Sequence, residues 1–141
     1  MVEEYQIVYV EQPAESTMEI VEEGLSNFDV QQIGNRKSQR ISFVVQAPDM
    51  KIVGGVSGEM NWNWLYVDLL WVKDELRGRG FGHRLMTVIE NEAKKLGATK
   101  AFLDTYSFQA PEFYKKHGYR VFGELKDFPA GHQKYFLTRD L

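Results

Sequence analysis

The chain contains no cysteine. That excludes a disulfide, a thiolate nucleophile and a thiolate metal site, and so closes a cysteine acyl-enzyme route. Histidine is scarce too. His83, His117 and His132 stand far apart in sequence with no pair at ligand spacing, so no metal site is expected. No apolar run approaches the ~20 residues that a membrane-spanning helix needs. Met1-Val2-Glu3-Glu4-Tyr5 lacks the basic-then-apolar layout of a signal peptide. Basic residues are not in excess: the net charge is −3, which argues against a nucleic-acid surface. No repeat, low-complexity tract or linker interrupts the chain. Together these absences predict a soluble, cytoplasmic protein with no nucleic-acid or membrane partner. The 141 residues are expected to form one domain, 1–141, large enough for a real core.

What is present is concentrated in one stretch, Leu70-Trp71-Val72-Lys73-Asp74-Glu75-Leu76-Arg77-Gly78-Arg79-Gly80-Phe81-Gly82-His83-Arg84-Leu85. It starts as an apolar strand, turns through alternate glycines and enters a helix. Glycine lets backbone approach a ligand closely, and a helix opening there offers free N–H groups and a positive dipole end to phosphate. Arg77, Arg79 and Arg84 add fixed positive charge. The dinucleotide fingerprint fails, because His83 stands where its third glycine belongs. The P-loop fails, because Gly82-His83-Arg84 does not supply Gly-Lys-Ser/Thr.

The rest of the pattern places this stretch in a sheet. Tyr5 to Glu11 alternates as a first strand. Pro13 opens a helix through Met18, Ile20, Val21 and Leu25 that is expected to end near Gly24 or Asn27, before a loop-like segment to Arg40. Strands follow at Ile41–Gln46, Lys51–Glu59 and Trp64–Val72, the last apolar on both faces except at Asp68, as a central strand should be. Phe81, Leu85, Ile89, Ala93 and Leu96 form a helical stripe, with Glu90 and Lys94 as an i,i+4 surface pair. Gly97 stops that helix, and Thr99 to Tyr106 returns as a parallel strand by a right-handed crossover. Pro111 opens a short helix closed by Gly118. Tyr119–Leu125 and His132–Thr138 complete about seven strands. The expected class is α/β (α+β): one mixed, mostly antiparallel sheet with helices on both faces. Tyr135-Phe136-Leu137 suggests a C-terminal edge strand able to pair across a two-fold axis in a homodimer.

Arg77-Gly78-Arg79-Gly80-Phe81-Gly82 fits Arg/Gln-x-x-Gly-x-Gly/Ala and resembles the acetyl-CoA pyrophosphate loop of the GNAT N-acetyltransferase superfamily. Ala110-Pro111-Glu112-Phe113-Tyr114-Lys115-Lys116-His117-Gly118-Tyr119 is similar to that family's stretch with a tyrosine shortly before Gly-Phe/Tyr. The resemblance implies a splayed parallel pair formed by the fourth and fifth strands. The cofactor's pantetheine arm would then pair with Leu70, Trp71 and Val72, and its pyrophosphate would lie on N–H groups from Arg77 to Arg84: Gly78, Arg79, Gly80, Phe81, Gly82 and His83 between them. It implies Tyr114 as the general acid for the departing thiolate. Family members often carry asparagine seven residues before that tyrosine; Ser107 stands there, a shorter candidate for the cofactor contact. Asp68 is the candidate base, with Glu59 in reserve. His132 and the tryptophans Trp62, Trp64 and Trp71 are further candidates for the acceptor side. The expected reaction is direct acetyl transfer from acetyl-CoA to a primary amine of a small molecule or peptide. The alternative is a non-catalytic acyl-CoA-binding module of the same fold.

Overall fold

Residues 4–141 are described by the computed structural model. The chain falls into two units, Met1–Arg36 and Lys37–Leu141.

In the first unit, residues 4–10 form no regular structure and lie exposed, so the expected first strand is absent. Alternation expresses a face preference, but a strand also needs a neighbour for its N–H and C=O groups. Among the described residues none pairs with this segment. The helix α1, Glu15–Ile33, is longer than expected. It passes through Gly24 and Asn27 because helix-compatible residues continue to Phe28, Val30 and Ile33, and one internal glycine costs only about 1 kcal/mol. Gly34, at φ 84°, is the residue that ends it, its N–H returning to Val30 O. None of the helix's residues is buried.

In the second unit, β1 (Gln39–Gln46), β2 (Ile52–Asn61) and β3 (Trp64–Val72) form an antiparallel meander. A single 3-10 turn over Asp74–Leu76 and the glycine loop lead into α2 (Phe81–Lys95). The strand β4 (Lys100–Tyr106) lies parallel to β3. Then come α3 (Pro111–Lys116), β5 (Arg120–Lys126) and β6 (Gln133–Asp140). Among the described residues the sheet has six strands, in the order β1-β2-β3-β4-β6-β5. The expected C-terminal edge strand is therefore not an edge: β6 is paired on one side with β4 and on the other with β5. Tyr135-Phe136-Leu137 has no free ladder to offer a second copy, and the edges belong to β1 and β5.

Period-2 and period-3.6 patterns meet in the core. Ile41 and Val56 from the meander, with fully buried Leu65, pack against Leu85, Met86 and Ile89 of α2. Gly58 is part of this fit: a Cβ there would stand 2.7 Å from Tyr66 O and 3.2 Å from Ile89 Cδ1. Glu90 departs from the expected surface pairing with Lys94. It is buried, turned inward to Tyr119, His117 and Arg139.

Candidate active site

The strands β3 and β4 pair from Trp64 opposite Lys100 to Val67 opposite Leu103. No further β3–β4 pair follows among the described residues, although β3 runs on to Val72 and β4 to Tyr106. One residue accounts for the change. On the other edge of β3, Ser57 faces Leu69 while Gly58 faces Val67, which leaves Asp68 as the extra residue of a bulge. A bulge bends its strand and re-aims a side chain. Here it falls where the parallel ladder ends, and the two strands part.

The wedge between them opens into a cleft of about 930 Å³. One wall is Asp68 to Val72; the other carries Asp104, Thr105 and Tyr114; the glycine loop and the start of α2 close the end. Of the residues that the family resemblance assigned to the cofactor, Leu70, Trp71, Val72, Arg77, Gly78, Gly80, Phe81, Gly82 and His83 line this cleft, and Arg79, Arg84 and Ser107 do not. Gly78 and Gly80 have φ of 76° and 82°, a conformation L side chains rarely adopt, and a Cβ on either would meet nothing within 4 Å. The space over them is open to a ligand, and the first-turn N–H groups of α2 lie beside it. Gly82 is different: its missing Cβ makes room for Phe113, not for a ligand.

The three arginines separate. Arg77 folds back onto Asp74, at 3.1 Å, and onto Val72 O, at 3.4 Å. The guanidinium carbons of Arg79 and Arg84 lie 5.8 and 5.1 Å from the Phe81 ring centroid. Neither has an acidic partner among the described residues.

Tyr114 sits on α3 facing the cleft, and among the described residues its hydroxyl has no hydrogen-bond partner. Burial, then the negative charge of Asp104, pushes it up to about 12. It stays a phenol through the neutral range, the form a proton donor needs. Asp104 itself accepts from Tyr66 OH at 2.7 Å and lies 3.4 Å from Lys134 Nζ. Tyr66 is likewise raised to about 12, by burial first and by Asp104 second.

Asp68 does not share a face with Leu70 and Val72 as a regular strand would require. The bulge turns it to the side where Arg40 approaches, and its two oxygens accept from Arg40 at 3.0 and 2.8 Å. Arg40 also donates to Ser57 Oγ at 2.9 Å and lies 3.8 Å from Glu59. Both partners are partly exposed, so solvent screens the pair; its interest is the placement of charge at the cleft. Ser107 is not among the lining residues. Its hydroxyl accepts from the Gln133 N–H at 3.0 Å and its own N–H donates to Gln133 O. Gln109, two positions on, lines the cleft, its carbonyl held by the Tyr106 N–H at 2.9 Å and by the Thr105 hydroxyl at 3.1 Å. Glu59, Trp62, Trp64 and His132 stand outside the lining; Trp64 packs edge-on against Phe102 and His132 against Phe108. Sequence reasoning missed Asp104, Gln109, Phe108 and Phe113. Only Asp104 carried a signal, an acid in the middle of an apolar strand.

A bulged strand parting from a parallel neighbour above a left-handed glycine turn defines the class. The chain belongs to the acetyltransferase (GNAT) family, whose pattern matches residues 5–119, and it is an acetyltransferase. It is similar to Blasticidin-S acetyltransferase of Streptomyces morookaense, 39% identical over 92 residues that cover 64% of this chain and 68% of that one. A crystal structure of an acetyltransferase from Bacillus cereus is 36% identical, with a TM-score of 0.86 over 95% of this chain and 98% of that one. A Bacillus anthracis protein solved in complex with acetyl coenzyme A shares the fold, with a TM-score of 0.65 at 21% identity over 72% of this chain and 62% of that one.

Proposed function

We propose that this enzyme moves the acetyl group of acetyl-CoA directly to a primary amine on a small polar molecule. The observation that carries the reading is the parted β3–β4 edge, set above the open, left-handed Gly78 and Gly80. The edge suits the amides of an extended arm; the turn and the start of α2 suit a diphosphate. When bound, acetyl-CoA supplies the activated thioester carbonyl.

The chain's own residues would do four things. Unpaired backbone along Leu70 to Val72 holds the arm, with an N–H near Leu70 polarising the acetyl carbonyl. Gly78 to Arg84, with the charges of Arg79 and Arg84, hold the diphosphate. Tyr114 gives its proton to the sulfur as the carbon–sulfur bond breaks and the amine nitrogen bonds to the acetyl carbon. Asp68 and Asp104, which line the cleft with Trp71 and Phe108, attract a cationic amine. Asp68 remains the candidate to take the amine's proton, directly or through water, although both its oxygens are engaged by Arg40. The similarity to a blasticidin-S acetyltransferase supports a small antibiotic amine as acceptor.

The test is a panel of amines with labelled acetyl-CoA: blasticidin S, aminoglycosides, polyamines, amino acids and N-terminal peptides. Transfer to a small polar amine above the peptide background is expected. Transfer to peptides alone would overturn the acceptor assignment.

A further inference from the structure

Two of the three histidines, separated by 34 positions, meet beside the glycine loop. His83 Nδ1 lies 2.9 Å from His117 Nδ1. The other nitrogen of His117, Nε2, lies 2.9 Å from Glu90 Oε1. Glu90 and His117 are close to fully buried, at 8% and 10% side-chain exposure. The Glu90 carboxylate also accepts from the Tyr119 hydroxyl at 2.7 Å and has Arg139 Nη1 at 3.6 Å, while Arg139 donates to His117 O at 2.6 Å. We propose that Glu90, His117 and His83 form a proton-carrying chain that sets whether His83 offers a donor or a bare lone pair to the diphosphate of the bound cofactor. Glu90 and His117 are positioning residues in this scheme; His83 makes the contact. The proposal rests on the cleft being the acetyl-CoA site.

Counting protons along the chain gives the switch. A carboxylate only accepts, so His117 Nε2 carries a hydrogen. The Nδ1–Nδ1 contact needs one hydrogen between two nitrogens. In the network without an extra proton, His83 Nδ1 must hold it, because His117 would otherwise be a cation facing an imidazolate. His83 Nε2 is then bare. One added proton leaves two arrangements, with the charge on His83 or on His117, and in both of them His83 Nε2 carries an N–H. The chain therefore converts proton uptake into a change from acceptor to donor at a single atom.

That atom is placed to matter. His83 is the third residue of α2 and lines the cleft with Gly78, Gly80 and Gly82. Its ring stacks on Phe113, centroids 4.4 Å apart, and meets that of His117 edge to edge, with 18° between the ring planes. Among the described residues, Nε2 has no protein partner, and no buried polar side-chain atom lacks one, so Nε2 is not sealed inside the protein, on a residue that lines the cleft. A bare lone pair repels a phosphate oxygen, and an N–H attracts it. Glu90 on α2, Tyr119 ahead of β5 and Arg139 on β6 surround the buried end of the chain, and Arg77, Asp68, Asp104 and Tyr114 share the cleft lining with His83. Between about pH 5 and 8 the groups that ordinarily change charge are the imidazoles. Binding of the anion therefore draws a proton in, and affinity falls as pH rises through the range where the bound chain gives it up.

The test is calorimetric titration of 3′-dephospho-CoA, which keeps the diphosphate and lacks the titrating 3′-phosphate. It is run from about pH 5.5 to about 8.5 in buffers of different ionisation enthalpy. The wild-type protein is expected to take up a large fraction of one proton on binding, with Kd rising up to about tenfold per pH unit within the window. His83→Gln, at the half-exposed end, is expected to bind with no linked uptake and a flat pH profile. Glu90→Gln, folded by its thermal transition, should lose or shift the uptake while binding persists. Wild-type binding without proton uptake, or uptake unchanged in His83→Gln, overturns the inference and leaves the cofactor reading standing. Absence of binding at every pH overturns both.

Discussion

Gly82 and Phe113 occupy one another's space. A Cβ on Gly82 would stand 2.9 Å from Cε1 and 3.0 Å from Cζ of the Phe113 ring. This contact ties the first turn of α2, which carries the loop, to α3, which carries Tyr114.

Gly82→Ala sets two effects against each other. Helix propensity favours alanine by about 1 kcal/mol. Overpacking costs about 1–3 kcal/mol where the neighbour cannot move, and Phe113 is held between His83 and Tyr114. The second effect should win. Chemical denaturation is expected to show a net loss, and Gly82→Ala on a Phe113→Ala background should recover most of it. A stabilised single variant would mean that α3 shifts freely, and the argument for a fixed Tyr114 would weaken.

Tyr114→Phe removes one oxygen and keeps the ring. The expected fall in kcat is about 10²–10⁴-fold, with the acetyl-CoA Kd changed little, since the lost interaction belongs to the transition state. The raised Tyr114, at about 12, fixes the sign of the pH effect: the proton stays on as pH rises. The wild-type kcat should show no Tyr114-dependent decline between about pH 8 and about pH 10, where an ordinary phenol begins to ionise. Activity of Tyr114→Phe within a few-fold of wild type would remove Tyr114 from the mechanism.

Asp68→Asn keeps the shape of the bulged residue and removes its charge. For a cationic acceptor, kcat/KM is expected to fall about 10–100-fold, the size of a lost charged hydrogen bond. The acetyl-CoA Kd should stay within about two-fold, because Asp68 sits where the two strands part and away from the loop. Unchanged kcat/KM would assign Asp68 to holding Arg40 and nothing more.

The stretch from Trp64 to Gly118 was largely legible in the sequence. Both the Trp64–Val72 strand and the stop at Gly97 follow from local alternation, periodicity and glycine chemistry. What failed depended on partners distant in sequence. Tyr5 to Glu11 has the right alternation and, among the described residues, no neighbouring strand. The register slip that bulges Asp68 arises between Ser57 and Gly58, on a different strand. Ser107 stands where the family often carries asparagine, but the start of β6 captures its hydroxyl and Gln109 lines the cleft instead. Glu90 looked like a surface partner for Lys94 because the helix pattern does not reveal that His117, Tyr119 and Arg139 converge on it. The meeting of His83 and His117 has no trace at ligand spacing, since it is made by packing α3 against α2.

The central claim is that the parted strands and the glycine turn hold acetyl-CoA, and calorimetric titration of the cofactor into the wild-type chain and Gly80→Asp tests it most directly. Gly80 combines a φ of 82° with open space above it, so aspartate there adds strain, bulk and negative charge where the diphosphate is placed. The wild type is expected to bind with a Kd on the order of micromolar and to gain thermal stability on binding; Gly80→Asp, still folded, should show neither. No binding by folded wild-type protein, or an unchanged Kd in Gly80→Asp, would contradict the account.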